Sequence, residues 1–186
     1  MTTIRGARPE DTGRLLEIYR YYVERTAVTF EYETPSPEEF LSRMERIRAR
    51  YPYIVIEEDG VIQGYAYAGP FVGRAAYDWS CELTIYLDHS AHRRGLGGML
   101  YRALEERLRS MGVLNLYACI ALPERDDEYL TSNSADFHAH LGFTRAGEFR
   151  RCGYKFGRWY GMIWMEKLLG EHRDGGAPDI VWYRGE

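Results

Sequence analysis

The segment His92-Arg93-Arg94-Gly95-Leu96-Gly97-Gly98 joins a run of β-forming residues, Trp79 to Leu87, to a long amphipathic stretch. The first amides of a helix lack internal acceptors and carry partial positive charge. Glycines there let an anion approach the backbone, and Arg93 and Arg94 add charge at the same point. The spacing therefore suits a pyrophosphate held at a helix start. Without further context, three glycines fit a plain tight connection at least as well. No GxxxxGK[ST] string occurs, and the loop is mid-chain without GxGxxG spacing, which argues against a P-loop and a dinucleotide fingerprint. On the preceding run, Glu82 stands among apolar residues in Trp79-Ser80-Cys81-Glu82-Leu83. If that face is buried, the carboxyl pKa rises and suits a general base; if it faces out, Glu82 is a solvated strand residue. His138 and His140 diverge by about 200° on a helix, which discounts a metal pair. Cys81, Cys119 and Cys152 show no CxxC spacing and no His/Asp pattern, so they read as small core residues.

The elements that must position these groups are readable from periodicity. Ile4 to Arg8 suits a first strand, and Pro9 opens a helix with Leu15, Ile18, Tyr19, Tyr22 and Val23 on one face. Ser36-Pro37-Glu38-Glu39 is a capping box for a second helix carrying Phe40, Met44 and Ile47. Tyr53 to Glu57 and Val61 to Ala68 flank Asp59-Gly60, a hairpin signal. After the glycine loop, Leu96, Met99, Leu100, Ala103, Leu104, Leu108 and Met111 recur at helical spacing until Gly112. Leu114 to Ile120 then reads as a strand, Ala135 to Leu141 as a short helix, and Thr144 to Cys152 and Tyr160 to Leu168 as two late strands. The order gives a mixed α/β sheet around one strand–loop–helix unit. The boundaries expected are one domain over 1–169 and a polar, Gly-rich tail over 170–186. Residues 179–183 (DIVWY) either dock as an arm or stay disordered.

Composition narrows the class. The 186 residues fit one domain, and 45% hydrophobic with 28% charged residues is a globular profile. A net charge of −4, from 24 basic and 28 acidic residues, argues against nucleic acid as the main partner. Three cysteines without a pairing pattern suit a reducing compartment, and no stretch approaches a membrane span or a signal-peptide core. A cytoplasmic protein with neither membrane nor nucleic-acid partner is expected.

At this point the residues resemble a known family. His92-Arg93-Arg94-Gly95-Leu96-Gly97 is similar to the [QR]xxGx[GA] acetyl-CoA loop of the GNAT superfamily of N-acetyltransferases. Tyr67-Ala68-Gly69-Pro70, Ala76-Tyr77-Asp78-Trp79, Leu141-Gly142-Phe143 and Lys155-Phe156-Gly157-Arg158-Trp159 resemble, in order, strings of its phosphinothricin and methionine sulfoximine N-acetyltransferase group. The likeness spans roughly residues 4 to 168. It implies a GNAT-like, mostly antiparallel, splayed sheet flanked by helices, acetyl-CoA as co-substrate, no metal, and a homodimer. The activity it implies is direct acetyl transfer to the amine of a small amino-acid-like acceptor such as phosphinothricin, methionine sulfoximine or methionine sulfone. An acetyl-CoA-binding sensor without turnover is the alternative.

The resemblance also implies roles. Ile85, Tyr86 and Leu87 pair with the pantetheine arm, while Arg93, Arg94, Gly95, Leu96, Gly97 and Gly98 hold the pyrophosphate. Asn133 is a further cofactor candidate. Glu82 falls at the general base, and His138 donates to the departing sulfur or assists Glu82, or is a buried structural histidine. Phe30, Arg74, Tyr77 and Trp79 fall at the acceptor pocket, where an arginine can clamp a carboxylate with two hydrogen bonds. This chain departs from the pattern at three points: His92 stands for Gln or Arg, Asn133 is off register after the insertion-like stretch Glu124 to Ser132, and Gly161 replaces an acidic or amide residue.

Overall fold

The structure, a computed structural model, describes residues 1–185. Among them, Thr2–Gly6 (β1), Tyr53–Glu58 (β2), Val61–Pro70 (β3), Ser80–Leu87 (β4), Asn115–Leu122 (β5), Thr144–Lys155 (β6) and Arg158–Leu168 (β7) form one sheet in the order β1-β2-β3-β4-β5-β7-β6. Four α-helices accompany it: Thr12–Arg25 (α1), Pro37–Arg48 (α2), Leu96–Ser110 (α3) and Asn133–His140 (α4).

Every strand pair is antiparallel except β4 with β5, which run parallel for only three pairs, Ser80↔Asn115 to Glu82↔Tyr117. Beyond Glu82 the two strands part. Leu83–Leu87 keep their β3 partners and Ala118–Leu122 keep their β7 partners, so facing backbone edges are left open in the middle of the sheet. This is the splayed, mixed sheet expected.

The helices form because each has an apolar stripe to bury. On one face α3 lays Leu100, Leu104 and Leu108, all 0% exposed, against Ile54, Ile56, Ala66, Ala68, Leu83 and Leu116. Each such leucine contributes about 1.5–3 kcal/mol by burial. On the other face α1 and α2 bury Leu15, Ile18, Val23, Phe40 and Met44 against Tyr53, Val55 and Tyr65. Ser36 accepts from the Glu39 amide at 3.2 Å and Pro37 begins α2, as the capping string implies. The helix layer on this second face ends at β4. Over β5 and β7 its place is taken by Ala27, Phe30, Tyr129 and Leu130 from irregular segments, packed with Ala121 and Tyr160.

Several boundaries differ from expectation. The first strand is Thr2–Gly6 rather than Ile4 to Arg8, and Pro9–Asp11 make a 3-10 turn before α1. Asp11 draws this corner together by accepting from the Arg8 amide and from both terminal nitrogens of Arg5. β6 and β7 are longer than read, because Phe156 and Gly157, with φ of +50° and +74°, make a two-residue hairpin turn. That turn lacks the Asn-Gly or Asp-Gly pair that flags Asp59-Gly60.

Beyond Gly170 the chain crosses the molecule in contact with it. The Trp79 indole donates to the Pro178 carbonyl at 2.7 Å. Val181 N donates to Met111 O, and Tyr183 N to Arg50 O. Trp182 meets Tyr51 edge-on at 5.5 Å and lies under the Arg50 guanidinium.

Candidate active site

Glu82 occupies the last paired position before β4 and β5 separate. It is half-buried, on the face it shares with Thr84 and Tyr86 of β4 and Tyr117 of β5. Burial raises its carboxyl pKa above the ordinary value. Phe71 stacks on Tyr117 at 4.2 Å and meets Tyr77 and Trp164 edge-on, forming an aromatic wall beside Glu82. Cys119 lies further along β5; it and Cys152 are exposed, against the core positions expected of them, and of the three cysteines Cys81 alone is buried.

The far wall is built by three segments distant in sequence. Lys155, 2% exposed, donates from Nζ to the Thr29 carbonyl at 2.8 Å. Burial lowers its pKa to about 8, against a smaller opposing effect of Glu31. Phe30 lies on Gly153, where a Cβ would come 2.3 Å from the ring. Asp127 caps its own turn by accepting from the Tyr129 and Leu130 amides, and also receives the Tyr160 hydroxyl and pairs with Arg158. The stretch from Glu124 to Ser132 therefore braces the β6–β7 hairpin and, through Ala27 N to Tyr129 O, the loop after α1. No motif flags this bracing; the Asp127-Glu128-Tyr129 turn is its sole local signal.

At the other end of the opening, Gly95 has φ of +79° and starts α3 without a side-chain cap. The first amides of α3 are left for an external acceptor. Nothing lies within 4 Å of where a Gly95 Cβ would sit, so the backbone there can be approached. Gly97 is different: a Cβ would meet Phe137 at 3.1 Å, so this glycine serves close packing of α3 on α4. Arg93, with φ of +62°, is exposed. Arg94 instead pairs with Glu58 of β2, which draws its charge away from the helix start.

Not all of the expected residues converge. Ile85, Tyr86 and Leu87 lie on the stretch of β4 that has β3 partners but no β5 partner, Arg93 and Gly95–Gly98 at the start of α3, and Asn133 is exposed at the start of α4. Arg74 and Tyr77 lie on the exposed loop before β4, and Trp79 is engaged with Pro178. His138 is 3% exposed, with Nδ1 2.7 Å from Ser134 O and Nε2 2.8 Å from the Tyr101 hydroxyl. A carbonyl only accepts, so Nδ1 carries the proton and neutral Nε2 accepts from Tyr101. Burial lowers the His138 pKa, with the Ser134 bond opposing. A neutral imidazole with both nitrogens engaged fits the structural alternative better than donation to sulfur.

The Acetyltransferase (GNAT) domain profile matches residues 4–164. The chain belongs to the GNAT acetyltransferase family. It is 38% identical over 157 residues to a phosphinothricin N-acetyltransferase of Streptomyces viridochromogenes, covering 84% of this chain and 82% of that one. It is 34% identical to an L-methionine sulfoximine/L-methionine sulfone acetyltransferase of Salmonella typhimurium, over 95% and 98% of the two chains. A Sinorhizobium meliloti GNAT phosphinothricin acetyltransferase, solved with acetyl-CoA, superposes with a TM-score of 0.84 at 32% identity and 99% coverage of both chains. This GNAT protein is an acetyl-CoA-dependent N-acetyltransferase. Among the described residues no helix is long and apolar enough to cross a membrane, and no group of three or more His, Cys, Asp or Glu could hold a metal ion.

Of the three departures from the family pattern, Gly161 has a steric reason. A Cβ there would lie 2.9 Å from the Phe149 carbonyl, where β6 bulges between Phe149 and Gly153. A larger residue would have to displace that bulge.

Proposed function

We propose that this GNAT enzyme acetylates the α-amine of a small amino-acid-like acceptor, with phosphinothricin, methionine sulfoximine and methionine sulfone as the compounds to try first. The observation that carries the reading is Glu82, half-buried with a raised pKa at the point where β4 and β5 part. The open edges of Ile85–Leu87 suit backbone pairing with the pantetheine arm. The uncapped amides of Leu96–Gly98, with Arg93 beside them, suit the pyrophosphate. Asn133 at the start of α4 is a further contact on the coenzyme side.

Glu82 takes a proton from the acceptor's ammonium, directly or through water. The freed amine nitrogen attacks the thioester carbonyl, the C–N bond forms as the C–S bond breaks, and the proton shed by that nitrogen ends on the departing sulfur, so coenzyme A leaves as the thiol. Phe30 and Tyr77 wall the acceptor, and Arg74 receives its carboxylate; Trp79, whose indole is held by the Pro178 carbonyl, stands outside that wall. His138 holds the Tyr101 hydroxyl, and with it the packing of α3 against α4, rather than acting on sulfur.

A homodimer and a cytoplasmic location belong to the same proposal. β6 is an edge strand exposed along most of its length, with Phe149 56%, Tyr154 46% and, from β7, Trp159 58% exposed. Such an edge beside exposed aromatics suits isologous pairing with a second copy. Free thiols at Cys81, Cys119 and Cys152 suit a reducing compartment.

The test is a panel of amino-acid analogues mixed with enzyme and acetyl-CoA, with release of free coenzyme A thiol followed. Release with these acceptors, and acetylated product by mass, is expected. Thermal stabilisation by acetyl-CoA with no release for any amine would overturn the reading.

A further inference from the structure

We propose that Tyr22 of α1 is a positioning residue for the coenzyme loop, acting through His92. This rests on the reading of the α3 start as the pyrophosphate site. The Tyr22 hydroxyl lies 2.6 Å from the Leu87 carbonyl and 3.0 Å from His92 Nε2. It has one proton, and the carbonyl can only accept. Tyr22 therefore donates to Leu87 O and accepts from His92, whose proton is fixed on Nε2. A single oxygen thus joins the last residue of the open β4 edge to the first residue of the glycine loop.

The remaining contacts make this bridge rigid. Tyr22 is 7% exposed, and its ring packs on Tyr86 at 4.9 Å and lies nearly parallel to the His92 ring. About two helical turns earlier on α1, Arg14 holds Asp88 at 2.6 Å, and Asp88 in turn accepts from the Ser90 amide and hydroxyl. α1 therefore grips the β4–α3 connection at Leu87, Asp88 and His92. Arg93 follows at φ of +62° and Gly95 at +79°, both in the left-handed region, so the path into α3 has little latitude once His92 is fixed. The histidine that departs from the family string is spent on this internal tie, and its effect on the coenzyme is to hold the loop in shape.

The test is acetyl-CoA affinity by calorimetry and a KM-against-kcat split for Tyr22→Phe, His92→Ala and the double variant, with Tyr21→Phe as control. Tyr22→Phe keeps the ring and loses only the hydroxyl. Each single variant is expected to weaken acetyl-CoA binding and raise its KM about five- to tenfold, the scale of one lost hydrogen bond, with kcat at saturation unchanged. The double variant should be no worse than the larger single, because both break one tie. Tyr21→Phe should match wild type. Wild-type affinity in both single variants, or additive losses in the double, would overturn the tie. Failure of the wild-type enzyme itself to bind acetyl-CoA would overturn the underlying site instead.

Discussion

Glu82 owes its raised pKa to burial, without a neighbouring carboxylate. The sequence left open whether it faces water, because alternation along Trp79 to Leu87 does not say which side the helices cover. His138 illustrates the opposite outcome: its helix was legible, its buried partners Tyr101 and Ser134 were not, because they come from tertiary packing. Its folded pKa lies below the unfolded value of about 6.5. The unfolded chain therefore takes up a proton that the folded one excludes, and stability falls as pH drops below about 6.5. Thermal unfolding of wild type and His138→Asn at pH 7.5 and 5.5 should show a shallower acid loss in the variant; parallel losses would exclude His138 as a source. Lys155, held near pH 8 by burial, ties Thr29 but pays for a desolvated charge. Lys155→Met should leave stability within about 1 kcal/mol, by removing both terms, and raise the acceptor KM with that of acetyl-CoA unchanged.

At the scale of elements, helix periodicities and the Asp59-Gly60 turn were visible because they are local. The β6–β7 hairpin turn and the bracing by residues 124–132 were not, because Phe156-Gly157 carries no common turn signal and Asp127 acts on partners some thirty residues away. The glycines separate in the same way. Gly95 serves approach and conformation: Gly95→Val forces a branched residue to φ of +79° and should weaken acetyl-CoA binding at least about tenfold while the fold is kept. Gly153 serves Phe30: Gly153→Ala must push the ring off β6, and should raise the acceptor KM with acetyl-CoA affinity intact. Steady-state kinetics in each substrate separates the two effects, and equal changes in both KM values for either variant would contradict this division.

Across the whole molecule, the order of elements and the central strand–loop–helix unit could be read from residue periodicity, while the splaying of β4 from β5 came only with the family resemblance. It depends on strand register beyond three residue pairs, which no local pattern encodes. The terminal segment was open between docking and disorder. Its Trp182 contact with Tyr51 and Arg50, and the Val181 and Tyr183 backbone bonds, tie the β2 start to the α3 end. Removing residues 171–186 should lower the melting temperature by several degrees, for a loss of about 2–3 kcal/mol of burial, and leave acetyl-CoA affinity unchanged. The most direct test of the chemistry is the rate of acetyl transfer to methionine sulfone at saturating acetyl-CoA, between pH 6 and 9, for wild type and Glu82→Gln. The variant should be slower by about 10²- to 10⁴-fold at each pH while binding acetyl-CoA as wild type does. Equal rates across that range would remove Glu82 as the base.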